Sequence, residues 1–134
     1  MKPIVPCLIF NGNCHEAMTF YHSCFGGDLG ITTLGETTIG GDLTEDSRNR
    51  VVTAQVTSCS LILLAADTDT KPVAPGSHLQ LTVGCEGATE AATLFDKLAE
   101  GGEVTSKLSE QFWGAMVGEL TDRFGYRWML YYRL

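Results

Sequence analysis

The chain has 134 residues, 44% of them hydrophobic, with 16 acidic against 9 basic side chains and a formal charge of −7. That length gives one domain with room for a real core, and that composition excludes a disordered chain. The acidic excess repels phosphate backbones, which excludes nucleic acid as a partner, and no apolar run reaches the roughly 18 residues of a membrane span.

In chain order, the first stretch, MKPIVPCLIF, carries one lysine and two prolines in a short apolar run. It makes a poor signal peptide and predicts a buried strand over 4–10. A helix follows around Glu16–Cys24. Ala17, Phe20, Tyr21, Cys24 and Phe25 fall on one stripe, Asn13 is the expected N-cap with Glu16 completing a capping box, and Gly26-Gly27 ends it. His15 and His22 are expected to face solvent on this helix. Residues 28–39 read as a weak strand and 40–50, GGDLTEDSRNR, as an exposed loop. Residues 51–57 alternate as a strand, 58–60 turn, and 61–66 form a fully apolar strand. The stretch DTDTKPVAPGS has two prolines and no periodicity, which puts a linker at about 68–77.

The second half repeats this order. A strand is predicted over 78–85, with His78, Gln80 and Thr82 on one face. A helix follows with Ala91, Leu94, Phe95, Leu98 and Ala99 on its stripe. Strands are predicted over 103–108, 112–120 and 127–133, with a turn over 121–126 in which Gly125 takes the positive φ and Asp122 caps through its side chain. The two helical stretches are similar in sequence: Glu16/Glu90, Ala17/Ala91, Thr19/Thr93 and Tyr21/Phe95 match at an offset of 74, and the double glycines after them at 75. The duplication predicts an α+β fold of two βαβββ modules, about 1–67 and about 78–134, forming curved mixed sheets around a cup. A cup of this kind binds a small molecule in its mouth. The five cysteines are odd in number with no CxxC spacing, so they read as reduced thiols of a cytoplasmic protein.

Three stretches carry a family resemblance: PCLIFNGNCHEAMTFYHSCFGG, AEGGEVTSKLSEQFWGAMVGELTDRFGYRWML and the strands that link them. With their glycine-glycine helix end, FWG and DxFGxxW, they resemble the vicinal oxygen chelate (glyoxalase/bleomycin resistance/dioxygenase) superfamily, and most closely its PhnB-like branch. The resemblance covers almost all of the chain and implies a single domain of that fold and a homodimer. The superfamily's enzymes hold a divalent metal with ligands from four strands. His78 is the only matching position here: Pro6 or Cys7 stands at the first-strand position, Leu61–Leu64 on the fourth, and Met129 where the last strand has its glutamate. A catalytic metal needs about three protein donors, so no metal or other cofactor is expected. No glycine-rich nucleotide loop follows a first strand.

The candidate catalytic residues are His78, as a base or hydrogen-bond donor, and Glu110, as a pocket acid. The candidate pocket residues are Cys7, His78, Gln80, Phe112, Trp113 and Trp128. Phe112 and Trp113, with Trp128 and Tyr131 or Tyr132, would wall a flat or apolar ligand, and Gly114 would let the backbone approach closely. The opposing readings are a surface histidine for His78 and core or dimer packing for the aromatics. Three functions are compatible with the sequence: small-molecule binding without the usual metal, a metal-dependent lyase, isomerase or dioxygenase, and sequestration without catalysis.

Overall fold

A computed structural model describes residues 1–37, 43–69 and 71–134. Two compact units divide at Val73/Ala74. The first holds β1 (Cys7–Phe10), α1 (Cys14–Phe25), β2 (Asp28–Thr33), a 3₁₀ turn at Leu34–Glu36, α2 (Glu45–Asn49), β3 (Val51–Thr57) and β4 (Ile62–Asp67). The second holds β5 (Leu81–Gly84), α3 (Ala88–Ala99), β6 (Glu103–Gln111), β7 (Ala115–Thr121) and β8 (Arg127–Arg133). Each unit is a four-stranded mixed sheet of one order, β1-β4-β3-β2 and β5-β8-β7-β6, with the first two strands of each parallel. Among the described residues, no helix is long and apolar enough to cross a membrane.

The repeat read from the sequence is repeated in the elements. β1 and β5, and likewise α1 and α3, begin and end 74 residues apart, while β2 and β6 begin 75 apart. The extra residue is Glu100, the C-cap of α3. Each helix is followed by a glycine at the same contact. A Cβ on Gly27 would stand 2.3 Å from the carbonyl oxygen of Thr57, and one on Gly102 would stand 2.2 Å from that of Thr121. Only a residue without a side chain lets the helix exit pass so close to the strand end.

α1 packs chiefly on β3, and α3 on β7 and β8. The buried stripe of α3 is Ala91, Leu94, Phe95 and Leu98, as expected, while Ala99, expected on it too, is half-buried. That of α1 is Cys14, Ala17, Met18 and Tyr21; Phe20, Cys24 and Phe25 are half-buried. Burying a residue such as Met18 or Leu98 contributes about 1.5–3 kcal/mol. The expected cap is also different. The Asn13 side chain makes no cap bond. Instead the buried Asp67, at the end of β4, accepts the Gly12 and Cys14 amides with Oδ1, both at 3.0 Å, and the Val51 amide with Oδ2 at 2.9 Å. A carboxylate beside the first turn also favours the helix dipole.

Several boundaries shift for local reasons. β1 starts at Cys7 because Pro3 and Pro6 have no amide to give a neighbour. The predicted strand 28–39 ends at Thr33, and its last residues, 38–39, lie outside the described residues. The predicted loop 40–50 contains α2, whose first turn is capped by the Thr44 hydroxyl accepting the Ser47 amide at 3.2 Å; residues 40–42 lie outside the described residues. β5 is only Leu81–Gly84, so His78 and Gln80 precede it. Phe112–Gly114 is a hairpin turn rather than strand: the Gly114 amide donates to the Gln111 carbonyl at 3.1 Å, and β7 begins at Ala115.

Candidate functional site

Alternation along β7 decides which side chains share a face. Counting from Ala115, the residues Ala115, Val117 and Glu119 lie on one side, and Met116, Gly118 and Leu120 on the other. α3 covers the second side, with Gly118 directly under Phe95; a Cβ there would fall 2.7 Å from Phe95 Cε2. α3, the helix of this unit, leaves the first side bare. Register places Glu119 between Ser106 of β6 and Met129 of β8, and Val117 beside Tyr131. Together with Gln111 and Trp113 these residues line a concavity of about 410 Å³. Tyr131 lies over Gly84 of β5, its Oη 2.8 Å from where a Cβ would be.

Glu119 and Gln111 offer acceptors to this concavity, while Ser106, Trp113 and Tyr131 also carry hydrogens to donate. The Glu119 carboxylate makes no ion pair or hydrogen bond with any described residue. Gln111 Nε2 donates to the Ser109 carbonyl at 3.3 Å and its hydroxyl at 3.2 Å, which leaves the amide oxygen as the part of Gln111 free to accept. No activated thiolate is near. Burial, with Glu90 adding to it, pushes the Cys85 thiol up. Burial, then the charges of Asp67 and Cys7, push Cys14 from 9.0 up to about 12.

Of the residues the sequence put in a pocket, Trp113 lines this concavity. Phe112 stands beside it, 97% exposed, its ring edge-on to Trp113 with centroids 4.9 Å apart. Trp128 is buried on the helix-covered side of β8, where its indole N–H donates to Asp122 Oδ2 at 2.8 Å. Glu110 pairs with Met116, so it takes the face opposite to that of Glu119. His78 is exposed and Gln80 half-buried in the segment before β5; neither lines the concavity. Cys7 is an exposed residue of β1, beside Leu64, in the first unit. Asp122 caps its turn as expected, accepting the Phe124 and Tyr126 amides at 2.8 and 3.1 Å. The close-approach glycine is Gly118; a Cβ on Gly114 would meet nothing within 4 Å. Glu119, Gln111, Ser106 and Val117 were not singled out from the sequence. The glycine in the middle of β7 is the signal that could have fixed its faces.

A divalent metal is implied by the superfamily, and the side chains do not fit one. Among the described residues, no three His, Cys, Asp or Glu gather closely enough to hold an ion. Glu119 has a thioether and a hydroxyl beside it where a site would need imidazoles or carboxylates. A second cleft, of about 440 Å³, lies in the first unit against Asn11, Asp46, Arg50, Asp67 and Lys71. Its central groups are committed to structure: Asn11 binds the Val73 backbone in both directions at 2.7 Å, and Asp67 holds three amides.

Comparison with known proteins agrees with this architecture. Residues 2–131 match a family model described as 3-demethylubiquinone-9 3-methyltransferase. The chain is similar to PA1353 of Pseudomonas aeruginosa, with 35% identity, 99% and 98% of the two chains covered and a TM-score of 0.87. It is similar to a PhnB protein of Bacillus cereus, with 27% identity, 98% and 99% covered and a TM-score of 0.73. A glyoxalase family protein of Bacillus cereus, at 13% identity with 100% and 95% covered and a TM-score of 0.68, shares the fold. By sequence, the chain belongs to the PhnB-like family described as 3-demethylubiquinone-9 3-methyltransferase, and it shares its fold with glyoxalase family proteins.

Proposed function

We propose that this chain acts as a single domain that binds a small organic molecule on the uncovered face of β6, β7 and β8. The observation that carries the reading is the make-up of that concavity. At about 410 Å³ it has the size of a small-ligand site, and it sets Trp113 and Tyr131 beside Met129, Val117 and Ala115. Aromatic and thioether surfaces suit a flat apolar body. Methyl transfer, the reaction in the family's description, is not carried over. β1 joins α1 through Asn11-Gly12-Asn13, and each sheet has one parallel pair rather than the parallel run that builds a nucleotide crevice.

Thermal-shift screening against flat aromatic compounds tests the reading. Compounds that raise the Tm of the wild type should lose that effect in Met129→Lys, which puts a charged ammonium among the lining residues. Equal shifts in both proteins would overturn it. Two further parts belong to the reading. Exposure of Phe112 (97%) and Trp113 (60%) favours a homodimer, which a monomer by light scattering at micromolar concentration would overturn. The five free cysteines suit a reducing cytoplasm.

A further inference from the structure

We infer that the ligand of this site carries a protonated nitrogen beside its flat apolar part, and that Glu119 selects for it. The inference rests on the proposed binding site and adds the chemical class of its occupant.

Among the described residues, Glu119 is the one charged side chain lining the concavity. It is half-buried in the middle of β7, between Met129 and Ser106, and no described residue pairs with it. The two arginines on the same side of β8 do not supply its partner. Arg127 gives its guanidinium to the Ser77 carbonyl, and Arg133 lies opposite Ala115, four residues along β7 from Glu119. A carboxylate removed from part of its water and left without a partner is an unfavourable arrangement. A cation arriving on a ligand relieves it. An anionic ligand would add a like charge at the same place.

The uncharged lining favours the same class. The Gln111 amide hydrogens are taken by Ser109, so Gln111 offers its oxygen. Trp113 and Tyr131 also line the concavity, and aromatic rings attract a cation to their faces. A flat ammonium-bearing molecule therefore finds a charge partner, an acceptor and aromatic surface in one concavity.

Three probes with one ring system test this: tryptamine, a cation; tryptophol, neutral; and indole-3-acetate, an anion. Titrations followed by the NMR signals of the Trp113 indole N–H and the Met129 methyl give a Kd for each at this site. The wild type is expected to bind tryptamine about fivefold or more tightly than tryptophol, the size of a partly exposed ion pair, and the acetate least. Glu119→Gln should bring the three affinities together. Equal binding of tryptamine and tryptophol by the wild type overturns the inference and leaves the site standing. Failure of all three to move either signal overturns the site, and the inference with it. The wild-type ranking decides even if the variant does not fold.

Discussion

Tyr131 lies across the backbone of Gly84, so a methyl group placed on Gly84 would stand 2.8 Å from the phenol oxygen and 3.0 Å from Cζ. The two residues are register partners in the parallel pair of β5 and β8. The missing side chain on one strand is what lets the ring on the other form a wall of the concavity.

Gly84→Ala should therefore act on binding more than on folding. Gly84 is exposed, and its φ is not in the left-handed region, so stability should change by less than about 1 kcal/mol. The Tyr131 ring must move, and tryptamine affinity should fall several-fold in the same NMR titration. Unchanged affinity would separate Tyr131 from the site.

Asp122 and Trp128 form a structural pair. Asp122→Ala leaves the buried indole N–H and two turn amides without their acceptor, and should cost about 2–4 kcal/mol in denaturant unfolding. Combined with Trp128→Phe, the loss should be smaller than the sum of the single losses by about 1 kcal/mol. Strict additivity would show the hydrogen bond to be idle.

Gly26 and Gly27 separate two costs that usually come together. Both have positive φ, 74° and 84°, but only a side chain on Gly27 would run into the Thr57 carbonyl. Gly26→Ala should cost about 1 kcal/mol and Gly27→Ala at least about 2 kcal/mol more, read as Tm or denaturation midpoint. Equal losses would mean the strand end moves freely.

Cys14 sets an alkaline limit. Its thiol is held up at about 12, against 9.0 when unfolded, so between these values the folded state keeps a proton the unfolded state has lost. This contribution is fully present below pH 9 and is lost as pH rises through about 12, at up to about 1.4 kcal/mol per pH unit. Cys14→Ala should flatten that slope in urea unfolding above pH 9. In the folded wild type the exposed Cys7 and Cys59 should react with a thiol reagent well before Cys14.

The elements most legible in the sequence are those whose pattern is set by one buried face. The stripe of α3 and the limits of β3 and β8 follow directly from it. α2 was not legible because five residues make no stripe; its signal is the cap, Thr44 before Glu45 and Asp46. The site was harder for a related reason. Side chains alternate at every residue, so Trp113, Ala115, Val117 and Glu119 share a parity, but that parity shows nothing about which side the helix covers. Glu110 is close to the aromatic pair in sequence, whereas Glu119 reaches the same concavity only through the pairing of β7 with β6 and β8. Trp128 was grouped with Trp113 because a strand of aromatic residues does not say which ring meets the helix. The partner that fixes it, Asp122, is six residues away and was read only as a turn residue.

In the function proposed here, the ligand meets the face of β6, β7 and β8 that α3 leaves bare. The most direct test of this is an assigned NMR titration with a set of flat aromatic amines. Shifts should gather at the Met129 methyl, the Trp113 indole N–H and the Glu119 amide, and leave the buried Trp128 indole N–H in place. Shifts that gather instead at Asn11, Arg50 and Lys71, or that stay absent at millimolar ligand, would contradict the account.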